Sequence, residues 1–184
     1  MITQESWEKI CQLQWSSTGS NTWREFCFKN ISRYFITPIQ KRYQGSGEAC
    51  WRLCGANGAN HFHIFWDCPI IRTYWKEIHK HIVNVFHVNI PFNCETVYLG
   101  NLPVEAWNTK DKKLLAILLA ASKKSVTRKW LRIEPPTIEE WTGIIYEIYI
   151  MEKISFSSKV EKETFYKIWT KWTEYVKPIR SDFI

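Results

Sequence analysis

Cys50-Trp-Arg-Leu-Cys54, followed after a short glycine-bearing stretch by His63-Ile-Phe-Trp-Asp-Cys68-Pro69, is the stretch on which the reading of the fold turns. Its pattern is Cys-x3-Cys-x8-His-x4-Cys. A structural zinc ion takes four thiolate or imidazole donors in a tetrahedron, and two donors a few residues apart supply half of such a shell. Gly55, Asn57 and Gly58 lie between the halves, where the chain must reverse. The spacing therefore predicts a zinc site (Zn2+) held by Cys50, Cys54, His63 and Cys68. His61 is the competing fourth donor, because in an extended stretch it points the same way as His63. The bland reading is that these cysteines are ordinary buried thiols. That reading suits Cys11, Cys27 and Cys94, each alone among apolar neighbours, and suits the cluster poorly. Four protein donors leave no open position for substrate, so the metal would be a scaffold.

Outward from the cluster, helical periodicity dominates. On the N-terminal side, residues 3–15 have a helical pattern with Trp7, Ile10, Cys11 and Gln14 on one side, broken by Ser16-Ser-Thr-Gly-Ser20. Thr22 and Glu25 have capping-box spacing. Trp23, Phe26, Cys27, Ile31 and Tyr34 then recur at helical steps, predicting a helix that runs to about Thr37-Pro38. Residues 44–48 read as a flexible break. On the other side, Pro69 suits a first helical position, and Ile70, Tyr74, Ile78, Ile82 and Val85 form a long stripe. Residues 88–108 look irregular, with room for one short helix. From Thr109, the positions Leu115, Leu119, Ser122, Val126, Trp130 and Ile133 line one face of a helix ended by Pro135-Pro136. Thr137 and Glu140 form a second capping box ahead of Trp141, Ile144, Ile148 and Met151. A last helix carries Phe165, Ile168, Trp169, Trp172 and Val176, either as core or as a docking face. The predicted fold is mainly α, a helical fragment with a small Cys-Cys-His-Cys zinc-binding module between helices. Its expected segments are 1–47, 48–90 and 91–184.

Composition narrows the function classes. Hydrophobic residues make up 45% of the 184, enough for a packed core. Eleven Trp, ten Phe and eight Tyr demand extensive ring packing. No apolar run approaches the roughly 18 residues of a membrane span, and the N-terminus lacks the pattern of a secretory signal. The expected location is intracellular, in cytoplasm or nucleus, where thiols stay reduced or bind metal. The net charge of +7 favours an anionic partner. Lys113, Lys124, Arg128 and Arg132 fall opposite the apolar stripe of the helix that begins at Thr109, a candidate phosphate-contacting face whose bland reading is a solvated one. Lys41, Arg42 and Arg52, with Lys29 and Arg33, interleave with Tyr34, Tyr43 and Trp51, a composition suited to stacking single-stranded bases. Trp66 is expected to be buried beside the metal and Trp51 less so, while His79 and Lys80 are expected at the surface.

The heptad His63–Pro69 together with Cys50-Trp-Arg-Leu-Cys54-Gly resembles the zinc-binding segment that follows the reverse transcriptase of LINE-type non-LTR retrotransposons. The flanks agree: Arg33-Tyr-Phe-Ile-Thr-Pro38, Tyr74-Trp-Lys-Glu-Ile78, Pro136-Thr-Ile-Glu-Glu-Trp141, Met151-Glu-Lys153 and Ile168-Trp-Thr-Lys-Trp172 resemble the same region, so the likeness runs from about Trp23 onward. The resemblance implies that Cys50, Cys54, His63 and Cys68 are the family's ligand set, and that the region binds the element's RNA or target DNA beside the polymerase portion of the parent polyprotein. It implies no catalysis by this fragment. Polymerase chemistry needs carboxylates gathered on two metal ions, and the only Asp residues are Asp67, Asp111 and Asp182. On this expectation the chain is the 3′-end piece of the reading frame, started at an internal Met. Two other classes stay open: a helical protein-interaction module with a purely structural zinc, and a disulfide-stapled domain.

Overall fold

The computed structural model describes residues 2–41, 47–102, 107–156 and 159–178. Among the described residues there are seven α-helices: α1 Gln4–Trp15, α2 Asn21–Ile31, α3 Pro38–Lys41, α4 Pro69–Phe86, α5 Thr109–Arg128, α6 Ile138–Ser155 and α7 Lys159–Val176. Two π-helical turns, His63–Asp67 and Cys94–Tyr98, flank α4. No strand occurs among the described residues. The fold is mainly helical, with the Cys-Cys-His-Cys group between α3 and α4. The expected break at 44–48 falls mostly outside the described residues, as do Pro103 and Asp182.

The organising element is α5, which contacts α1, α2, α4, α6, α7 and the Cys94–Tyr98 turn. Every residue from Leu114 to Lys123 is buried. The expectation of a helix with one apolar and one solvated face is therefore corrected. A helix surrounded on all sides buries its polar positions as well as its apolar ones. Ala116, Ala120, Ala121, Ser122 and Ser125 carry small side chains that let neighbouring helices approach. The Ser122 and Ser125 hydroxyls bond back to the Leu118 and Ala121 carbonyls, at 2.8 and 3.0 Å.

The expected end of this helix at Pro135 is also corrected. α5 stops at Arg128, where the amide of Lys129 is shared between the Ser125 and Val126 carbonyls at 3.2 Å. Trp130 then leaves the helix and packs on Phe65, Phe35 and Trp51 with ring centroids 5.0, 5.6 and 5.6 Å away. Its indole N–H donates to the Ile36 carbonyl at 3.0 Å. Ile133, expected to face inward, is exposed.

α2 starts and stops differently from its sequence pattern. Its cap is Ser20, and the Thr22–Glu25 capping box does not form, because Glu25 pairs with Lys29 one turn on at 2.6 Å. The helix ends at Ile31 because Arg33 turns left-handed at φ 57°. The Tyr34 amide then reaches back to the Lys29 carbonyl at 2.9 Å, a Schellman-like close with arginine where glycine is usual. The second capping box forms as expected: the Glu140 amide donates to the Thr137 hydroxyl at 3.2 Å, and the Thr137 amide to the Glu140 carboxylate at 2.9 Å.

The stripe of α4 is buried at Tyr74, Ile78, Ile82 and Val85, with Ile71 and Trp75 beside them. All five predicted inward positions of α7 are buried, so Phe165, Trp169 and Trp172 are core residues and form no docking face. One hydrophobic core runs from Cys50 and Cys68 through α4 and α5 to Val176. The cysteine module is thus part of that core.

Candidate metal centre

The first two donors sit on a tight turn. The Leu53 amide donates to the Cys50 carbonyl at 2.9 Å, and the Cys50 amide to the Ala56 carbonyl at 2.9 Å. Leu53 and Gly55 both take left-handed backbone, at φ 57° and 85°, which curls the chain until Cys54 faces Cys50. Glycine adopts that conformation without steric cost; leucine does not, and its side chain is left in solvent.

Asn60 builds the second half. Its side-chain carbonyl accepts the His63 amide at 2.9 Å and its backbone carbonyl accepts the Ile64 amide at 3.0 Å, which opens the next turn. That turn is wound as a π-helix, closed by the Cys68 amide on the His63 carbonyl at 2.9 Å. The five-residue hydrogen bond brings His63 and Cys68 to the same side. Cys68 then caps α4 with Pro69 in the first turn.

All four donor atoms lie within 4.8 Å of one another. Cys50 Sγ and Cys68 Sγ are 3.9 Å apart, and Cys54 Sγ is 3.4 Å from His63 Nε2. Bond lengths to a tetrahedral zinc ion would put two sulfurs about 3.8 Å apart and a sulfur and a nitrogen about 3.6 Å apart. The donor set therefore fits a four-coordinate metal, and it does not fit a disulfide, whose sulfurs bond at about 2.05 Å. All six cysteines are free.

His61 lies outside this group of donors. Its ring packs on Phe65 with centroids 4.5 Å apart, and its Nε2 is buried without a partner. Burial, aided by the Arg33 charge, pushes it down to about 4, so this half-buried ring is neutral near pH 7. Burial also lowers His63, which keeps the imidazole in the neutral form a metal needs. The thiols differ. Burial pushes Cys50 up to about 11. Burial acts the same way on Cys68, but the Ile71 and Ile70 amides, Cys54 and the Arg52 charge together outweigh it and hold that thiol below its ordinary value. Cys68 sits at the N-terminus of α4, where amides and the helix dipole favour a thiolate.

Arg52 has a place that its position in the sequence did not suggest. It is buried, 1% exposed, so its expected role in contacting nucleic acid is corrected. Nη1 donates to the Ile64 carbonyl at 2.9 Å, while Nε and Nη2 have no hydrogen-bond partner. A buried cation needs a counter-charge. Three thiolates around a divalent ion would carry one net negative charge, which the Arg52 cation would balance.

Most of the other basic residues lie against side chains of neighbouring elements. Lys113 is half-buried with its ammonium 6.0 Å from the Phe156 ring, and Lys124 lies 4.8 Å over Phe26. Arg128 makes a two-pronged pair with Glu147 at 2.8 and 3.3 Å. Arg132 is exposed. Lys41 lies over Trp51 at 5.7 Å. Arg42 and Tyr43 lie outside the described residues. Trp66 is buried against Trp75 and Phe92, as expected, and Trp51 is half-exposed. His79 is half-buried and donates to the Ile90 carbonyl at 2.7 Å, correcting its expected surface position.

No family model matches the chain, and no solved structure matches it. Among the described residues no helix is long and apolar enough to cross a membrane.

Proposed function

We propose that the chain is a zinc-stabilised, non-catalytic nucleic-acid-binding module, the C-terminal piece of a LINE-type reverse transcriptase, contacting RNA or target DNA beside its polymerase. The carrying observation is the closed set of three thiols and one imidazole at tetrahedral spacing. Thiol-rich tetrahedral sites select zinc over harder divalent ions. A shell filled by protein has a structural role. The net charge of +7 supports a polyanionic partner. The residues Cys50–Gly55 and His63–Pro69 carry the family likeness.

Native mass spectrometry tests the metal: one zinc per chain, lost in Cys54→Ser and Cys68→Ser and kept in Cys94→Ser. Freshly purified, reduced protein that holds no metal overturns the reading. Affinity for nucleic acid should fall steeply with salt through counterion release. A second reading, a protein-interaction module, draws support from Ile36, Leu131 and Ile133, exposed around Trp130 by 53%, 63% and 46%. Nucleic-acid binding that is absent, or indifferent to salt, would favour it.

A further inference from the structure

Three large rings are left in solvent within one short stretch. Trp15 ends α1, Phe28 lies on α2, and Tyr34 follows its C-terminal turn; they are 59%, 62% and 68% exposed. Clustered exposed apolar side chains mark interaction surfaces more often than singly scattered ones do. Two of these rings carry a cation: Arg24 lies over Trp15 at 5.3 Å and Lys29 over Tyr34 at 5.2 Å. Arg24 and Phe28 are four residues apart and so are neighbours on one side of α2. The left-handed Arg33 is the residue that turns Tyr34 back onto Lys29, with the Tyr34 amide on the Lys29 carbonyl. Bulky non-glycine residues seldom adopt this backbone. Phe35, next to Tyr34, packs on Phe65 with ring centroids 5.9 Å apart, so this surface adjoins the cysteine module.

We propose that α2 and its two flanking turns form a stacking platform for single-stranded nucleic acid, in which Trp15, Phe28 and Tyr34 receive bases while Arg24, Lys29 and Arg33 meet the phosphates. This deepens the nucleic-acid-binding reading and rests on it. The choice of strand follows from the chemistry. A duplex hides the faces of its bases in its own stack, so exposed rings gain nothing from it. An unpaired strand offers each base to a ring, and the cations between rings track the backbone. Glu25, the acidic residue on this side of α2, is paired with Lys29 at 2.6 Å, which dilutes the positive field only locally. α2 spans about 16 Å at the usual helical rise, room for a few nucleotides.

The test uses fluorescence anisotropy on the full zinc-loaded chain, with a labelled 20-nucleotide oligothymidine and a duplex of equal length. Wild type should prefer the single strand. Phe28→Ala with Tyr34→Ala should weaken single-strand binding about 100-fold, roughly tenfold for each ring, and leave the duplex affinity unchanged. Tyr34→Phe, which keeps the ring, should bind like wild type. Arg24→Gln should reduce the salt slope for the single strand by about 0.7. The two alanine changes are at exposed positions, and unchanged circular dichroism would show that the fold persists. Single-strand affinity that survives both alanines overturns the platform and leaves general nucleic-acid binding standing. A wild type that binds neither oligonucleotide overturns both. Loss of self-association in sedimentation, with nucleic-acid affinity intact, would make α2 a protein contact and also overturn the platform.

Discussion

At the scale of single residues, the buried charges separate what spacing shows from what packing decides. Arg52, expected to contact nucleic acid, and Lys123 are each 1% exposed. Arg52 lies against the thiols. Lys123 is held by the Gln14 side-chain carbonyl at 2.7 Å and lies over the Tyr98 ring at 5.1 Å. Burial pushes Lys123 down to about 8, the nearby Cys27 and Cys94 opposing the shift. Its ordinary value in an unfolded chain is about 10.4. Between those two values the unfolded chain binds the extra proton, so this residue's effect on stability becomes more favourable as pH rises from about 8 to about 10. Lys123→Met removes the ionisation. The variant should gain on wild type at pH 7, and the gain should shrink by about 3 kcal/mol as pH approaches 10. Urea denaturation of both proteins across that range checks it, and parallel pH profiles would count against a buried ammonium.

Among the elements, α1 depends on a close approach that only glycine permits. Gly100 has φ 76°, and a Cβ there would lie 2.4 Å from Leu13 Cδ2 and 3.1 Å from Leu119 Cδ1. It is the point where the chain after the Cys94–Tyr98 turn passes between α1 and α5. Gln14 fixes the same junction by donating to the Leu99 carbonyl at 3.1 Å. Gly100→Ala combines a left-handed backbone with an overpacked contact and should cost about 2 to 3 kcal/mol. The melting temperature should fall by several degrees. Protection of α1 amides in hydrogen exchange should fall more than that of α6, and an equal loss in both would show that α1 is not docked through this glycine.

For the whole molecule, the continuity of the core sets how it responds to loss of metal. Cys50, Cys68, Ile64, Phe65 and Trp66 belong to the same buried cluster as the inner faces of α4 to α7. Removing a bound ion would leave the buried Cys50 and Cys68, the half-buried Cys54 and the buried Arg52 cation without a counter-charge, next to the centre of the protein. Chelation should therefore lower the thermal transition of the entire chain in one cooperative step, with tryptophan fluorescence and far-ultraviolet circular dichroism moving together. A separate early transition confined to the cysteine module would contradict a shared core. Stabilisation by metal should grow with free zinc concentration, as it does for any ligand bound only by the native state.

The sequence alone determined whatever rests on short-range geometry. The spacing of Cys50, Cys54, His63 and Cys68, the proline opening α4, the Thr137–Glu140 capping box and the inner face of α7 are all local patterns, and each has its counterpart in the fold. Tertiary structure decided the rest. It made α5 a central helix rather than a two-faced one, because neighbours close over it on every side. It ended α2 at a left-handed arginine and α5 at Arg128, where Trp130 gains more from ring packing than from another helical turn. It put His63 in the donor set and His61 against Phe65, since a π-turn opened by Asn60 aims only one of the two imidazoles at the thiols. It took Arg52 inside and left Trp15, Phe28 and Tyr34 outside. Burial is a property of what surrounds a side chain, and no periodicity along one segment records its neighbours from another.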